Sequence, residues 1–315
     1  PLPPDLRSGL YGITVLGFLS FFSCISLQIL LSWRMWEWSR RSTRPNQFFI
    51  LIYNLFLADI QQSVAFILNA RWLVEDGILV GTSTCWAQGW FVSTGDLASG
   101  VWCFFIGVHT FSSVVFRYRM KTSHFIAAII LNWVFIYAMA IIGVVLHPND
   151  IYVRAVAWCW MNGKYQDLRL WLHYFWIFVF EFGTVLIYVA MYVTVQYRIS
   201  NNFYSEKNQQ AQHARSAAKL MIVYPIIYVI CTLPLATLRM VSMTSTSTVT
   251  FGYFCFAGAM ITSNGWLDVM LYTMTRRIML FSDDPPSDSH DLEDAFQMPF
   301  SGNLGKRFGT KTTCE

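Results

Sequence analysis

The sequence has few charged residues. Only 13% of its 315 residues are Asp, Glu, Lys or Arg, whereas 55% are apolar and 17% are aromatic, and the formal net charge is a mild +4. A chain of this composition is not an ordinary soluble globular protein, and so small a positive charge indicates no nucleic-acid partner. The sequence also has no Asn-x-Ser/Thr glycosylation site and no evident cleavable signal peptide, because its first apolar run is long enough to span a membrane.

Several further absences exclude classes of enzyme and pigment. No lysine occurs between Lys219 and Lys306, so the last apolar run lacks the Schiff-base lysine that a retinal protein needs. The six histidines show no His-x-x-x-His spacing, and no Gly-x-Ser-Gly segment offers a membrane serine-protease nucleophile. Ser93-Thr-Gly-Asp96 lacks the first glycine of the Gly-x-Gly-Asp segment of intramembrane aspartyl proteases. We therefore expect no enzyme, and no catalytic residue, resident metal or cofactor.

Long apolar runs are what the sequence has in abundance. Seven stretches reach the roughly 20 residues that a helix needs to cross a bilayer. Helices are expected because lipid offers the backbone no hydrogen-bond partners and the runs lack the alternation of strands. The sequence therefore predicts an all-α membrane protein, a seven-transmembrane helix bundle. The predicted spans are Leu10–Trp33, Gln47–Ala70, Trp86–Phe116, Phe125–Leu146, Leu170–Tyr197, Leu220–Leu238 and Phe251–Tyr272.

The distribution of Lys and Arg predicts the orientation. The connections after the first, third, fifth and seventh spans hold 13 of these residues, and the opposite face holds 6. Because the basic side of a membrane protein is usually cytoplasmic, we expect the N-terminus outside and the C-terminus inside. Residues 1–9 are then an extracellular N-terminal fragment, 10–280 the seven-helix domain and 281–315 a cytoplasmic acidic tail.

The tail is expected to be disordered. Between Asp283 and Asp294 it has six acids, two prolines and several serines, so it cannot bury enough apolar area to order itself. It is either a regulatory segment modified by kinases or a solubilising end.

Two of the seven cysteines differ from the others in their predicted position. Cys85 lies at the outer end of the third span and Cys159 in the second outer loop, so both face the oxidising side of the membrane. They form either a disulfide or two free thiols. Four other cysteines lie in predicted spans, where a buried thiol is usually a small apolar residue.

The predicted spans hold four acids and no internal Lys or Arg; the acids are Asp59, Asp96, Glu181 and Asp268. A charge at the bilayer centre costs about 2.5–3.5 kcal/mol on insertion scales, so such residues usually face the bundle interior. With no buried base predicted, each acid must be protonated, hydrated, bonded to neutral donors or bound to a cation. They form either a structural polar network or a site for a proton or cation.

The acids of the second and seventh spans lie at similar depth, so we expect Asp59 and Asp268 to be close together. Two carboxylates in a low-dielectric site do not both ionise cheaply, so one would hold a proton or both would share a cation. The candidate members of this core polar network are Asn54, Asp59, Asn264, Asp268 and Tyr272.

A ligand pocket is predicted in the outer half of the bundle. Asp96 lies 11 residues after Cys85, which is about 16 Å along a helix. Val92, Ser93 and Asp96 share one face of that helix by their spacing. With Trp160 above and Thr262 from the seventh span, they are the candidate ligand-binding residues. The alternative is that Asp96 only belongs to a packing network.

Two prolines, Pro225 and Pro234, lie nine residues apart in the sixth span. Each removes a helical hydrogen bond and favours a kink. They mark either a hinge beside a basic cytoplasmic loop or two static kinks.

Four segments carry a family resemblance. Asn54-Leu-Phe-Leu-Ala-Asp59 resembles the Asn-Leu-x-x-Ala-Asp segment of G-protein-coupled receptors, and Cys231-Thr-Leu-Pro234 resembles their Cys-Trp-x-Pro. Asp268-Val-Met-Leu-Tyr272 stands where rhodopsin-like receptors have Asn-Pro-x-x-Tyr. Cys85 and Cys159 match the disulfide that joins the third helix to the outer loop in that superfamily.

The departures from these patterns point to a particular group. Val108-His109-Thr110-Phe111 stands in place of Asp-Arg-Tyr, Val269 replaces the proline of helix seven, and Thr232 replaces the tryptophan of helix six. We interpret these absences as excluding an ordinary rhodopsin-like receptor. Between Phe48 and Arg277 the chain is instead similar to fungal nutrient-sensing receptors and the related cAMP-receptor-like group. The segments that carry this similarity are 57–62, 85–89, 95–99, 109–111, 158–160, 173–176 and 224–225.

This resemblance implies a multi-pass receptor of the plasma membrane that binds a small molecule and couples to a heterotrimeric G protein in cAMP signalling. Its short basic inner loops would attract an acidic partner surface or anionic membrane lipids. A seven-helix proton-coupled transporter or carrier is the alternative function, motivated by the four acids. The candidate residues for G-protein coupling are His109, Thr110, Arg117, Arg119 and Arg215.

Overall fold

A computed structural model of the protein describes residues 1–41, 46–116, 118, 120–200, 227–241 and 250–275. Within these residues seven helices form a bundle, and six of them are long and apolar enough to cross a membrane. The described part of α6 is shorter. The helices are α1 (Pro4–Arg40), α2 (Gln47–Val74), α3 (Ser83–Val115), α4 (Thr122–Leu146), α5 (Gln166–Ser200), α6 (Ile227–Val241) and α7 (Phe251–Thr275).

Local sequence explains several helix ends. Pro4 stands in the first turn of α1, where its missing N–H is not needed. Asn46 caps α2 by accepting the Phe48 N–H at 2.9 Å, and Thr82 caps α3 by accepting the Cys85 N–H at 3.3 Å. The third helix therefore begins before Cys85, which lies in its first turn.

Three of the helices are interrupted. α2 consists of Gln47–Ile67 and Asn69–Val74, and α7 of Phe251–Thr262 and Asn264–Thr275. In α5 a π-helical turn at Leu170–Tyr174 precedes the regular helix. Such wide turns occur often at functional sites.

The sixth helix differs from the prediction in a way that matters for the site. The span was expected to end at Leu238, but α6 continues through Val241, so Arg239 belongs to the helix. The expectation that the spans contain no buried base was therefore wrong, because Arg239 is only 3% exposed. Pro234 lies within α6, whereas Pro225 is outside the described residues.

A β-hairpin follows α4 and was not predicted. Its strands β1 (Tyr152–Ala155) and β2 (Trp158–Met161) are antiparallel, with Ala155 opposite Trp158. All four residues of β2 are buried, so this strand enters the mouth of the bundle.

Glycines let neighbouring elements approach α3. A Cβ at Gly89 would lie 2.4 Å from the Tyr152 ring of the hairpin, and one at Gly95 would lie 2.6 Å from the Gln62 backbone nitrogen of α2. α3 is thus packed closely by α2 and by the hairpin, and it also contacts α4 and α5. The hydrophobic core has one large cluster at the hairpin end, which includes Trp158 and Trp160, and another in the opposite half.

Candidate functional site

A cavity lies beneath the hairpin, between α3, α5, α6 and α7. The space between its walls, counted together with the adjoining open solvent, is about 420 Å³. Its walls are mostly apolar and aromatic, with a few polar groups, as is usual for a small-molecule site. The lining residues are Val92, Asp96, Trp158, Trp160, His173, Tyr174, Ile177, Tyr228, Thr232, Leu235, Ala236, Arg239 and Ile261.

Asp96 is the acidic group of the cavity. Its Oδ1 accepts a hydrogen bond from the Gln62 side-chain amide at 2.9 Å. This contact is possible because Gly95, the preceding residue, lets α2 approach α3 closely. The carboxyl group is 5% exposed and lines the cavity from the α3 side.

Arg239 is the basic group of the cavity and was not among the predicted ligand residues. Its guanidinium donates to the Ala155 carbonyl oxygen at 3.1 Å. The guanidinium carbon lies 5.5 Å from the ring centroids of both Trp158 and Trp160 and 4.7 Å from that of Phe254. Such contacts with aromatic faces stabilise a buried cation. Arg239 also interacts electrostatically with Asp96 across the site.

Three polar atoms of the lining residues have no hydrogen-bond partner among the described residues. They are the indole Nε1 of Trp160, the Nδ1 of His173 and the hydroxyl of Tyr228, in residues that are 1%, 2% and 1% exposed. The Trp160 and His173 rings lie 5.2 Å apart. His173 belongs to the π-helical turn of α5, which carries its ring to the cavity wall.

Of the five predicted ligand residues, Val92, Asp96 and Trp160 line the cavity and two do not. The Ser93 hydroxyl donates to Gly89 O at 2.8 Å within α3. The Thr262 hydroxyl donates to Gly258 O, and the Thr262 carbonyl accepts from Ser20 of α1. The neighbouring Ile261 lines the cavity instead.

The hairpin is fixed over the cavity by the disulfide between Cys85 and Cys159, which confirms the predicted pairing. Burial raises the pKa of Tyr152 in β1 to about 12, so its hydroxyl stays neutral at physiological pH. Trp158 and Trp160 of β2 line the cavity, so the hairpin covers it with aromatic rings.

The predicted core network forms in part. Asp59 accepts the Ser99 hydroxyl at 2.8 Å, and the Asn264 amide donates to Asp268 at 3.3 Å. A Cβ at Gly265 would lie 3.5 Å from the Cβ of Asp59, so the Asp59 side chain lies directly against the beginning of the second half of α7.

Two other candidates of that network have different neighbours. The Asn54 side chain donates to Ile50 O at 2.7 Å and accepts the Trp133 indole N–H of α4 at 2.8 Å. Asn54 and Asp59 are five residues apart, which is about 140° around a helix, so they face different neighbours. Tyr272 is buried and packs edge-on against Phe56.

Another buried carboxyl group, that of Glu181, joins α5 to α6. The Thr232 hydroxyl donates to Oε1 of Glu181 at 2.9 Å and also contacts the Tyr228 carbonyl at 2.8 Å. Glu181 is 1% exposed. Thr232 lies two residues before Pro234 and lines the cavity, so this link connects the cavity wall to the candidate hinge.

At the opposite end of α3, His109 contacts the beginning of α2. Its Nε2 is 3.1 Å from Oε1 of Gln47, whose amide nitrogen donates to Met120 O at 2.8 Å.

Other groups mark the end of α3. Thr110 is buried beside His109. Arg198 of α5 donates to the carbonyl oxygens of Val114 at 3.1 Å and Val115 at 2.6 Å, where it compensates the negative end of α3. The candidate coupling residues Arg117, Arg119 and Arg215, and the acidic tail, lie outside the described residues.

Comparisons with known proteins agree with this architecture. Residues 29–272 match the family described as 7 transmembrane receptor (rhodopsin family). The structure resembles the crystal structure of squid rhodopsin with a TM-score of 0.69 and 15% sequence identity, over 93% of this chain and 92% of that one. At that identity the likeness shows the fold alone. No curated protein sequence matches the chain.

Proposed function

Because the chain belongs to the rhodopsin family of seven-transmembrane receptors, we propose that it binds an extracellular small molecule in the cavity beneath the hairpin and activates a heterotrimeric G protein. Membership of this family corrects one interpretation of the sequence. The departures at His109-Thr110, Thr232 and Val269 do not exclude the chain from the rhodopsin family. They are substitutions within it.

The observation that carries the proposal is the cavity itself. It combines Asp96 and Arg239 with a cover of tryptophan rings, at the end of the bundle that holds the disulfide. The distribution of Lys and Arg between the two faces predicts that this end is extracellular. A ligand placed there contacts α3, α5, α6 and α7 at once, so it can favour one arrangement of these helices over another.

Signalling would pass through α6. Thr232 and Arg239 both line the cavity, and Thr232 is hydrogen-bonded to Glu181 of α5. A ligand that contacts Thr232 or Arg239 changes the contact between α5 and α6 close to Pro234. We propose that the opposite end of α6 then moves and opens a G-protein site near His109 and Thr110.

The G-protein face would combine buried and exposed groups. His109 and Gln47 connect α3 to α2 in the resting state, while Arg117, Arg119 and Arg215 steer an acidic partner surface. We propose the plasma membrane as the location, with anionic lipid headgroups as further partners of this basic face.

Nutrient sensing and control of cAMP are the finer part of the proposal. Their support is the sequence similarity between 48 and 277 to the fungal nutrient-sensing and cAMP-receptor-like group. Asp59, Asn264 and Asp268 would form the core polar network, in which the two acids share a proton or a cation. The family match gives no support to the alternative of a proton-coupled transporter.

The test is nucleotide exchange on purified G proteins, with the receptor in lipid nanodiscs and a screen of sugars, amino acids, organic acids and cyclic nucleotides. We expect at least one compound to accelerate exchange. The same compounds are tested for uptake into vesicles that contain the protein. Uptake without stimulated exchange would reverse the assignment and favour the transporter.

A further inference from the structure

We infer that the ligand is a small zwitterion, with its anionic group held beside Arg239 and Trp160 and its protonated amine beside Asp96. This inference rests on the proposed receptor function and names the ligand class of the same cavity. Four features carry it: the signs of the two charged residues, their separate positions, the buried polar atoms at each position, and the charge balance of the site.

The two charges occupy different parts of the cavity. Arg239 lies at the hairpin, where its guanidinium contacts Ala155 O and the Trp158 and Trp160 rings. Asp96 lies on α3 about three helical turns from Cys85, the residue that is bonded to the hairpin. The cavity is therefore positive towards the hairpin and negative towards the middle of the bundle. A ligand with one charge of each sign is complementary to this polarity.

The uncharged polar groups follow the same division. The Trp160 indole N–H, which can only donate, has no hydrogen-bond partner among the described residues and lies on the hairpin side with Arg239. A carboxylate or similar anion accepts from both groups. On the other side, the Gln62 amide occupies one oxygen of Asp96, and an ammonium group would donate to the carboxylate. The His173 ring lies 5.2 Å from the Trp160 ring and so belongs to the hairpin side.

Charge balance favours a zwitterion over a ligand that carries a single net charge. Two buried acids, Asp96 and Glu181, and two buried arginines, Arg239 and Arg169, lie at or beside the cavity. A ligand of net charge +1 or −1 would add an unbalanced charge to this low-dielectric region, which is costly. A zwitterion adds no net charge and provides a charged partner for both Asp96 and Arg239. Charge-assisted hydrogen bonds of this kind are stronger than those an uncharged polyol would make.

The first test uses the unchanged receptor and the ligand's own chemistry. The probes are the common amino acids together with taurine, betaine and γ-aminobutyrate, and binding is measured as thermal stabilisation of the purified receptor in nanodiscs without G protein. For each zwitterion that binds, the amine without the carboxylate and the acid without the amine are measured as well. We expect both analogues to bind about 10- to 100-fold more weakly, because each lacks one charge-assisted contact.

The second test uses paired variants. Asp96→Asn should weaken the zwitterion about 10- to 100-fold without weakening the deaminated acid, whose charge the variant site can then balance. Arg239→Gln should likewise weaken the zwitterion without weakening the decarboxylated amine. Arg239→Lys keeps the charge, so it should retain part of the affinity even where Arg239→Gln folds poorly. The matched controls are Arg154→Gln in β1 and Asp167→Asn in α5, both exposed and outside the cavity, and they should bind like the unchanged receptor.

The outcomes separate the ligand class from the receptor function. Stabilisation by a polyol, a simple amine or a simple acid that equals or exceeds that of every zwitterion would overturn the ligand class, and so would failure of the whole zwitterion panel. If one of those compounds also stimulates exchange, the receptor function stands. Zwitterion binding with the expected variant pattern, but without exchange on any G protein, would support the ligand class and contradict the receptor function.

Discussion

The side-chain carbonyl oxygen of Gln88 accepts the backbone N–H of Cys159 at 2.8 Å, beside the disulfide that links Cys159 to Cys85. The same oxygen accepts the Trp72 indole N–H at 2.8 Å, and the Gln88 amide nitrogen donates to Asn69 at 2.8 Å. Gln88 is fully buried. One side chain of α3 thus fixes both the hairpin and the end of α2, and so holds the cover of the cavity in place.

Gln88→Leu should therefore destabilise the protein strongly. The substitution fills a similar volume but leaves the Cys159 N–H, the Trp72 N–H and the Asn69 oxygen without their partner, and each buried group left unpaired costs about 1–3 kcal/mol. We expect the free energy of unfolding to fall by about 3 kcal/mol or more, measured by denaturant titration of the purified protein. Gln61→Leu is the control, because Gln61 is only half-buried and its hydrogen bonds are long: its amide nitrogen donates within α2 at 3.4 Å and its oxygen accepts the Tyr137 hydroxyl at 3.2 Å. Equal losses in both variants would contradict this role for Gln88.

Much of the fold follows from the hydrophobic pattern, because length and composition suffice to recognise a membrane helix. The disulfide was also predictable, since both cysteines fall on the same face of the membrane. The hairpin was not. Its two-residue turn is formed by Val156 and Ala157, and Val156 has a φ of +73°. A β-branched residue rarely adopts this conformation, so the sequence lacks the glycine or asparagine that usually signals such a turn.

Because the hairpin was not predicted, the burial of Arg239 was not predicted either. The predicted sixth span ended at Leu238, so Arg239 was counted among the charges of the outer face. The aromatic rings of β2 and Phe254 supply the environment that stabilises its burial. The basic half of the site was thus not predictable, since the burial of Arg239 depends on β2, a strand that the local sequence does not indicate. The Asp96 position was predictable, because an acid on the same helix face as Val92 must be directed into the bundle.

The link between Glu181 and Thr232 leads to a second prediction. Thr232→Val keeps the shape of the side chain but removes the donor to Glu181, which weakens the contact between α5 and α6. A hydrogen bond of about 1 kcal/mol changes a two-state population about fivefold, so we expect ligand-independent nucleotide exchange to rise about fivefold. Thr237→Val is the matched control, because Thr237 is exposed on the same helix and donates to Leu233 O. A basal rate equal to that of the control would show that this link does not restrain α6.

The acids of α2 and α7 should be energetically coupled. If Asp59 and Asp268 share a proton or a cation, replacing either with Asn changes the state of the other. We expect a double-mutant cycle on the free energy of unfolding to give a coupling energy of about 0.5–3 kcal/mol. The comparison pair is Asp59→Asn with Glu181→Gln, which should be nearly additive. Additivity in both cycles would mean that the two acids act independently.

The basic inner loops should act by electrostatic steering. Neutralising Arg117, Arg119 and Arg215 to Gln is expected to slow receptor-stimulated exchange most at low ionic strength, because exposed charges are screened within about 8–10 Å at physiological salt. The measurement is the exchange rate over a salt series, with surface expression as the control for folding. A reduction that is the same at every salt concentration would indicate fixed contacts with the G protein rather than steering.

The contact between His109 and Gln47 supplies the last prediction. His109 and Thr110 stand in place of the Asp-Arg pair of rhodopsin-like receptors. His109 is hydrogen-bonded to Gln47 of α2, and Gln47 extends the contact to Met120 O. His109→Ala and Gln47→Leu remove the same hydrogen bond from its two ends. Both should raise ligand-independent exchange several-fold, since losing about 1 kcal/mol of resting-state restraint shifts the population about fivefold. The double variant should match Gln47→Leu, because that variant already loses the His109 contact together with the contact to Met120 O. Lys121→Gln is the control, since Lys121 is exposed beside Met120. If His109→Ala behaves like this control while expression is normal, the restraint lies elsewhere on the inner face.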